Sequence, residues 1–322
     1  MNKDKYLIMQ LGRFGDLILF TPAFRLIKEK YPNIELHLLA GRKNYEVVLA
    51  NPYIDRIIKF DKSPSKIFAT IYNIRKDYYK YWIDPRDHFS TESRILGKIA
   101  RAENKIGFNE AHKERIFNID IKTIDKIIHH SLIGVNALGE LGIRLPDSPI
   151  RPELFFWENE QFSKTTNNIV SQNSKYIVLN LSASGEHKMW QVDKWIEFVK
   201  QTGIYKQNLV VNFMPRDYAQ AQSIKSAFPE IILHQPSNIR DVMAITAYCD
   251  YVITPDTSIV HIAAAFNKSI FALYSNSDFF YNKFYPLSDD FVVIRSKDGD
   301  NGLHSIEVAD AVDNFLKKFI KK

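Results

Sequence analysis

Residues 251–266, Tyr-Val-Ile-Thr-Pro-Asp-Thr-Ser-Ile-Val-His-Ile-Ala-Ala-Ala-Phe, read as an apolar strand that breaks at a polar turn and resumes as a helix, with Asp256, Thr257 and Ser258 at the break. Pro255 stops a ladder and Ala263, Ala264 and Ala265 favour helix, so Asp256 or Thr257 falls at the N-cap. A helix that opens at the edge of a parallel sheet presents unpaired N–H groups and a partial positive charge, the two features that hold a phosphate. His261 lies four residues past Thr257 and three past Ser258, which puts its ring on the same side of the first turn. The turn suits a diphosphate, and it equally suits an ordinary capped helix with a hydrogen-bonded histidine.

Three further loops carry groups that can move a proton or hold a nucleotide. The first strand runs into Gly12-Arg-Phe-Gly15-Asp16, where the glycines, Gly15 among them, let a ligand approach a carboxylate. Asp16 can serve as a general base or can cap the following turn. The spacing is not a dinucleotide fingerprint, because G-x-G-x-x-G is missing and no phosphate-loop lysine follows. Residues 181–190, Leu-Ser-Ala-Ser-Gly-Glu-His-Lys-Met-Trp, supply Ser182 and Ser184 as short donors and Lys188 as a point charge. A lone loop lysine is usually solvated; Lys188 gains weight because its strand and the one before Asp256 should end at the same sheet edge, facing one diphosphate. In Asn212-Phe-Met-Pro-Arg-Asp217 the aspartate can accept bonds from ribose hydroxyls, cap a helix, or do both.

Signals for a metal are poor. Asp298-Gly-Asp-Asn-Gly302 has a D-x-D core, but Ala309 stands where a calcium loop needs glutamate, so the segment reads as a turn. Adjacent His129 and His130 diverge on a helix. A single cysteine, Cys249, excludes an internal disulfide framework and a cysteine-rich metal site.

These loops need a scaffold. Apolar runs at 6–11, 34–40, 56–60, 79–84 and 105–108 read as strands, with helices beginning near Pro22 and spanning about 65–76, 90–101 and 124–142. Three prolines in Leu145-Pro-Asp-Ser-Pro-Ile-Arg-Pro152 stiffen the chain and mark a linker. Strands then recur at 175–182, 208–213, 231–234, 251–253, 269–274 and 291–295. The expectation is an α/β protein of two Rossmann-like parallel-sheet domains, 1–152 and 153–304, followed by a helix over 305–322. That helix carries Val308, Val312, Phe315, Leu316 and Phe319 as one apolar stripe and must pack on something. At 322 residues, two domains are also what length alone suggests.

A hydrophobic fraction of 45% and a mean hydropathy of −0.24 fit a globular protein, and no apolar run approaches the roughly 18–20 residues of a membrane span. The first residues lack a signal-peptide core, so a cytoplasmic location is expected. A net charge of +6 favours an acidic partner without naming its class. Basic and aromatic residues interleave over 75–82, Arg-Lys-Asp-Tyr-Tyr-Lys-Tyr-Trp, which suits either an anionic amphiphile or a solvated helix end running into a strand.

Taken together, residues 15–24 (Gly-Asp-Leu-Ile-Leu-Phe-Thr-Pro-Ala-Phe), Lys188-Met-Trp190 and residues 255–265 (Pro-Asp-Thr-Ser-Ile-Val-His-Ile-Ala-Ala-Ala) resemble glycosyltransferase family 9, the lipopolysaccharide heptosyltransferases. The resemblance spans both halves in order. It implies a GT-B fold whose two domains face a cleft, the nucleotide-sugar on the C-terminal domain and the acceptor on the N-terminal one. The implied reaction moves heptose from ADP-L-glycero-D-manno-heptose to an anionic lipid-linked core saccharide, with inversion and without a metal or other cofactor, at the cytoplasmic face of the inner membrane. It implies no nucleic-acid partner. By the same resemblance Asp16 is the catalytic base, Gly15 belongs to the acceptor-side loop, Lys188 and Ser184 meet the phosphates, and Asp256, Thr257, Ser258 and His261 contact diphosphate and sugar. Asp217 stands where the family has a ribose-gripping glutamate, and Ser258 where it has a glycine. The final helix is implied to cross back to the first domain. A transferase with another nucleotide-sugar or a protein acceptor is the nearest alternative, and a non-catalytic nucleotide-binding module a further one.

Overall fold

The computed structural model describes residues 3–111, 113–121, 123–124, 126–172, 175–297 and 302–320, and the chain divides into two compact units, 1–157 and 158–322. The first unit holds β1 (Lys5–Gln10), α1 (Phe14–Phe20), α2 (Pro22–Lys30), β2 (Glu35–Gly41), β3 (Arg56–Phe60), α3 (Pro64–Arg75), β4 (Tyr79–Ile83), α4 (Thr91–Ile99), β5 (Ala102–Gly107), β6 (Ile119–Asp120) and α5 (His130–Asn136). The second holds α6 (Lys164–Ser171), β7 (Ile177–Asn180), α7 (Val192–Thr202), β8 (Leu209–Asn212), α8 (Tyr218–Ala227), β9 (Ile232–His234), α9 (Ile239–Tyr248), β10 (Tyr251–Pro255), α10 (Ser258–Ala265), β11 (Ser269–Tyr274), α11 (Asp278–Phe284), β12 (Phe291–Arg295) and α12 (Val308–Phe315). Residues 298–301 of the expected turn lie outside the described residues.

Both sheets are parallel and share one plan. Their orders are β3-β2-β1-β4-β5-β6 and β12-β11-β10-β7-β8-β9. In each, the chain winds outward from the first strand and then restarts on its other side, so the order reverses at β1/β4 and at β7/β10. Ligands of open α/β sheets bind outside the carboxyl ends of the strands at such a reversal. The strands are continuous apolar runs because helices cover both sheet faces: Leu7, Ile8, Val178 and Leu179 are fully buried.

The first compact unit runs past the prolines to Trp157. Two bonds hold the segment after the prolines to the first unit: the Glu153 amide donates to Thr21 Oγ1 at 2.8 Å, and Arg25 Nε donates to the Glu153 carboxylate at 2.8 Å. The helix expected near Pro22 is preceded by another, α1, which already starts at Phe14; Thr21 ends one helix and Pro22 starts the next. The helix expected over 124–142 is shorter, because His129 caps α5 by accepting the Ser131 amide at 3.3 Å and a 3-10 turn (Ala137–Leu141) replaces its end.

The last helix has its packing partners in the second unit. α12 packs on α7 and β12, within the second unit, and runs on into a π-helical turn (Leu316–Ile320). The Phe315 ring lies 5.5 Å from that of Phe198 and 5.4 Å from that of Phe271, and Phe319 lies 5.4 Å from Tyr251. The apolar stripe is therefore used to finish its own unit's core.

Candidate active site

In the first unit, the turn after β1 is fixed by a buried asparagine. Asn44 Nδ2 donates to the carbonyls of Gln10 at 3.1 Å and Gly12 at 2.9 Å, so the loop leaves the sheet edge in one conformation. Asp16 occupies the first turn of α1, and its Oδ2 reaches back to accept the Arg13 amide at 2.8 Å. A Cβ at position 12 would stand 2.5 Å from Asp16 Oδ2, so any larger residue there displaces the carboxylate from this position. The other carboxylate oxygen, Oδ1, lies 3.5 Å from His130 Nε2 at the start of α5. α5 can approach this closely because Gly134 faces Phe20 of α1, where a Cβ would meet the ring at 2.9 Å. Gly15, expected in a loop, sits inside α1 beside Asp16. The sequence reading weighed His130 only beside His129 and missed its place next to Asp16, because the two lie 114 residues apart and nothing local announces the pairing.

In the second unit, β7 and β10 are hydrogen-bonded neighbours, so the two loops expected to share an edge do so. Lys188 closes a 3-10 turn (Glu186–Lys188), and its Nζ donates to Asp256 Oδ2 at 2.7 Å. Thr257 is the N-cap of α10, its side chain accepting the Ile259 amide at 3.3 Å. The Asp256 amide is used by the Leu273 carbonyl at 2.9 Å. That leaves the amides of Thr257 and Ser258 at the open end of the helix. Ser184 is exposed in the loop that leads to Lys188, and Ser258 is partly exposed. His261 is buried, its ring 6.2 Å from that of Phe284.

Asp217 is placed differently from a carboxylate open to a ligand. Its side chain is 5% exposed and accepts the Ser182 hydroxyl, with Arg216 Nε 3.5 Å away. Ser182 Oγ in turn accepts the Met214 amide at 2.8 Å, so Asp217 ties the loop after β7 to the loop after β8.

Behind these loops a buried polar ladder crosses the second sheet. Thr257 Oγ1 meets Thr254 Oγ1 at 3.3 Å, and Thr254 accepts from Asn180 Nδ2 at 3.1 Å. Asn212 Nδ2 donates to Asn180 Oδ1 at 3.1 Å, Asn212 Oδ1 faces His234 Nδ1 at 2.8 Å, and His234 Nε2 faces Thr166 Oγ1 at 2.9 Å. Every member of this run inside the sheet is fully or almost fully buried, so the bonds it makes are costly to leave unmade. Burial pushes the His234 imidazole down to about 4, which keeps it neutral.

Among the described residues, no group of three or more His, Cys, Asp or Glu side chains could hold a metal ion, and no helix is long and apolar enough to cross a membrane.

Two doubly wound parallel-sheet units, each with polar side chains at the carboxyl end of its strand-order reversal, define an α/β protein of the GT-B fold. The chain belongs to glycosyltransferase family 9 (heptosyltransferase), whose model matches residues 67–306. The lipopolysaccharide core heptosyltransferase OpsX of Haemophilus influenzae is 21% identical over 276 residues, 83% of this chain and 78% of that protein. A family 9 glycosyl transferase from Veillonella parvula superposes with a TM-score of 0.84 at 18% identity, covering 100% of this chain and 99% of the other. The heptosyltransferase WaaC of E. coli, solved with ADP, superposes with a TM-score of 0.76 at 16% identity over 98% of each chain.

Proposed function

We propose that this chain transfers heptose from ADP-L-glycero-D-manno-heptose to a lipopolysaccharide or lipooligosaccharide core acceptor, with inversion and without a metal, at the cytoplasmic face of the inner membrane. Membership of family 9 and the likeness to core heptosyltransferases support the donor and acceptor classes. The observation that carries the reading within this chain is the Lys188–Asp256 pair at 2.7 Å beside the opening of α10, because it puts a cation and free helix amides at one strand-order reversal.

The chemistry follows from charge. An acceptor hydroxyl does not ionise near neutral pH, so Asp16 takes its proton as attack proceeds, a role worth about 10²–10⁴ in rate. The departing diphosphate gains negative charge as its bond to the sugar breaks. Lys188, moving from Asp256 to the phosphates, and the amides of Thr257 and Ser258 meet that charge more strongly in the transition state than in the bound donor, which is the condition for catalysis. Asp256, relieved of Lys188, and His261 face the sugar. Ser184 serves the phosphates, and Asp217 serves the nucleoside end by fixing Ser182 and Met214. Gly15 keeps the Asp16 turn slim on the acceptor side.

Incubation with ADP-heptose and a heptose-deficient core, followed by mass spectrometry, tests the proposal: one heptose increment is expected, and a core of unchanged mass would overturn it. Ser258 at the helix opening, where the family pattern has glycine, favours a second reading with a different nucleotide-sugar. A donor panel in the same assay separates the two.

A further inference from the structure

Asp84, Arg86 and Ser93 form a constellation in the first unit that the proposed reaction does not use. Asp84 directly follows β4, the strand hydrogen-bonded to β1, and β4 ends two residues short of it, Ile83 opposite Ile8 where β1 runs on to Gln10. Strands in a sheet lie about 4.8 Å apart, so residues 84–86 leave the sheet at the same edge as the Gly12–Asp16 turn. Asp84 is 2% exposed. Its carboxylate accepts the Ser93 hydroxyl from the first turn of α4 and the Arg86 amide at 3.2 Å. It also accepts Arg86 Nε at 3.0 Å and Nη2 at 3.2 Å, a bidentate grip.

A guanidinium is a rigid fork with five N–H donors and two usable edges. Asp84 occupies the Nε/Nη2 edge, so the Nη1/Nη2 edge points away from it. The Arg86 side chain is 21% exposed, so part of it reaches solvent while the buried carboxylate holds the plane in place. An edge held this way suits a second bidentate partner, a carboxylate or a phosphate. Arg13, Arg42 and Lys43 are exposed at the same carboxyl edge and add positive potential there.

We infer that Arg86 is a specificity-determining residue that binds an anionic group, carboxylate or phosphate, on the acceptor saccharide and so presents the acceptor hydroxyl to Asp16. The inference rests on the transferase reading above and adds to it the residue that selects an acidic acceptor. Asp84 and Ser93 are positioning residues that hold the fork.

The test uses the full-length protein with three probes: a heptose-deficient core, the same core with its carboxylates reduced to alcohols, and the same core dephosphorylated with aqueous hydrogen fluoride. Turnover of the untreated core by the unaltered protein is measured first; its absence would sink the transferase reading, whereas the outcomes below bear on Arg86 alone. One of the two treatments should raise the acceptor KM by roughly 10- to 100-fold, the worth of a charge-assisted bidentate bond, and should identify the anion. Arg86→Lys, which keeps the charge and loses the fork, should raise KM for the untreated core by a similar factor, leave ADP affinity unchanged and flatten the preference for the untreated core. Ser93→Ala should do the same more weakly. Equal KM values for all three cores, or an Arg86→Lys protein with unaltered KM and preference, would overturn the inference. Should Arg86→Ala fail to fold, the lysine variant and the treated cores still decide.

Discussion

Asp16 is held from two sides: its Oδ2 accepts the Arg13 amide at 2.8 Å, and its Oδ1 faces His130 Nε2 at 3.5 Å. The first contact is local and sets the rotamer. The second comes from α5 and ties the carboxylate to a different helix. Asp16→Asn keeps the shape and removes the proton acceptor, so kcat should fall by about 10²–10⁴ while ADP binding by calorimetry is unchanged. His130→Ala removes a neighbour and leaves the base in place; a fall of roughly tenfold in kcat is expected, the worth of one hydrogen bond. An Asp16→Asn protein that turns over normally would remove Asp16 from the mechanism.

Lys188 gives a prediction about the nucleotide alone. Its pairing with Asp256 is about one-third exposed on the lysine side, so losing it should shift stability by no more than about 1 kcal/mol. A diphosphate offers it a stronger partner. Lys188→Ala should therefore weaken ADP binding by roughly 10- to 100-fold with little change in melting temperature. Equal ADP affinity in titration calorimetry would refute the phosphate role.

Asp217 and Ser182 should behave as one unit. Because the carboxylate is buried and engaged by the serine hydroxyl, Asp217→Ala leaves a loop untied and a polar group unmatched, at a cost of about 1–3 kcal/mol. Ser182→Ala should cost less, and the double variant should cost clearly less than the two single effects added, as expected for groups in contact. Additive urea midpoints would show that the two do not act together. An Asp217→Ala protein of normal stability but weak ADP binding would place the carboxylate on the ribose directly.

His234 predicts how stability responds to acid. Its imidazole is pushed down to about 4 by burial, against 6.5 when free. The folded state thus binds the proton less well than the unfolded one. The stabilisation is fully present above about pH 6.5 and is lost as pH falls toward 4, up to about 3 kcal/mol over that window. Burial lowers His37 as well, so the whole protein should lose stability in the same direction. Urea unfolding at pH 7 and pH 5 should show a smaller pH-dependent loss in His234→Asn than in the unaltered chain. Identical losses would mean that His234 is protonated without resistance.

The elements most legible in the sequence were those whose signal is local and repeated. Parallel strands covered on both faces must be apolar throughout, which is why the runs around Leu7 and Val178 stood out. The turn at Thr257 was legible because strand, proline, cap and alanine-rich helix follow within a few residues. The start of α1 was not, since its end is closed by a backbone amide donating to Asp16 with no Ser, Thr or Asn at the cap. Pairings between distant residues left no trace either: His130 beside Asp16 and Ser182 on Asp217 both depend on which segments the topology brings together. The stripe on α12 announced that it would be buried, but an apolar stripe does not specify its partner, and the partner proved to be Phe198 and Phe271.

That last contact also bears on how the protein is made. Phe198 and Phe271 are covered by side chains from residues 315 and 319, so during translation the second half has strands and helices in hand well before it can shut its interior. The first unit spans residues 1–157 and can close while the ribosome is still working. The interval between the two leaves aromatic surface open to other chains, which makes residues 308–319 the segment whose late arrival sets the window for aggregation.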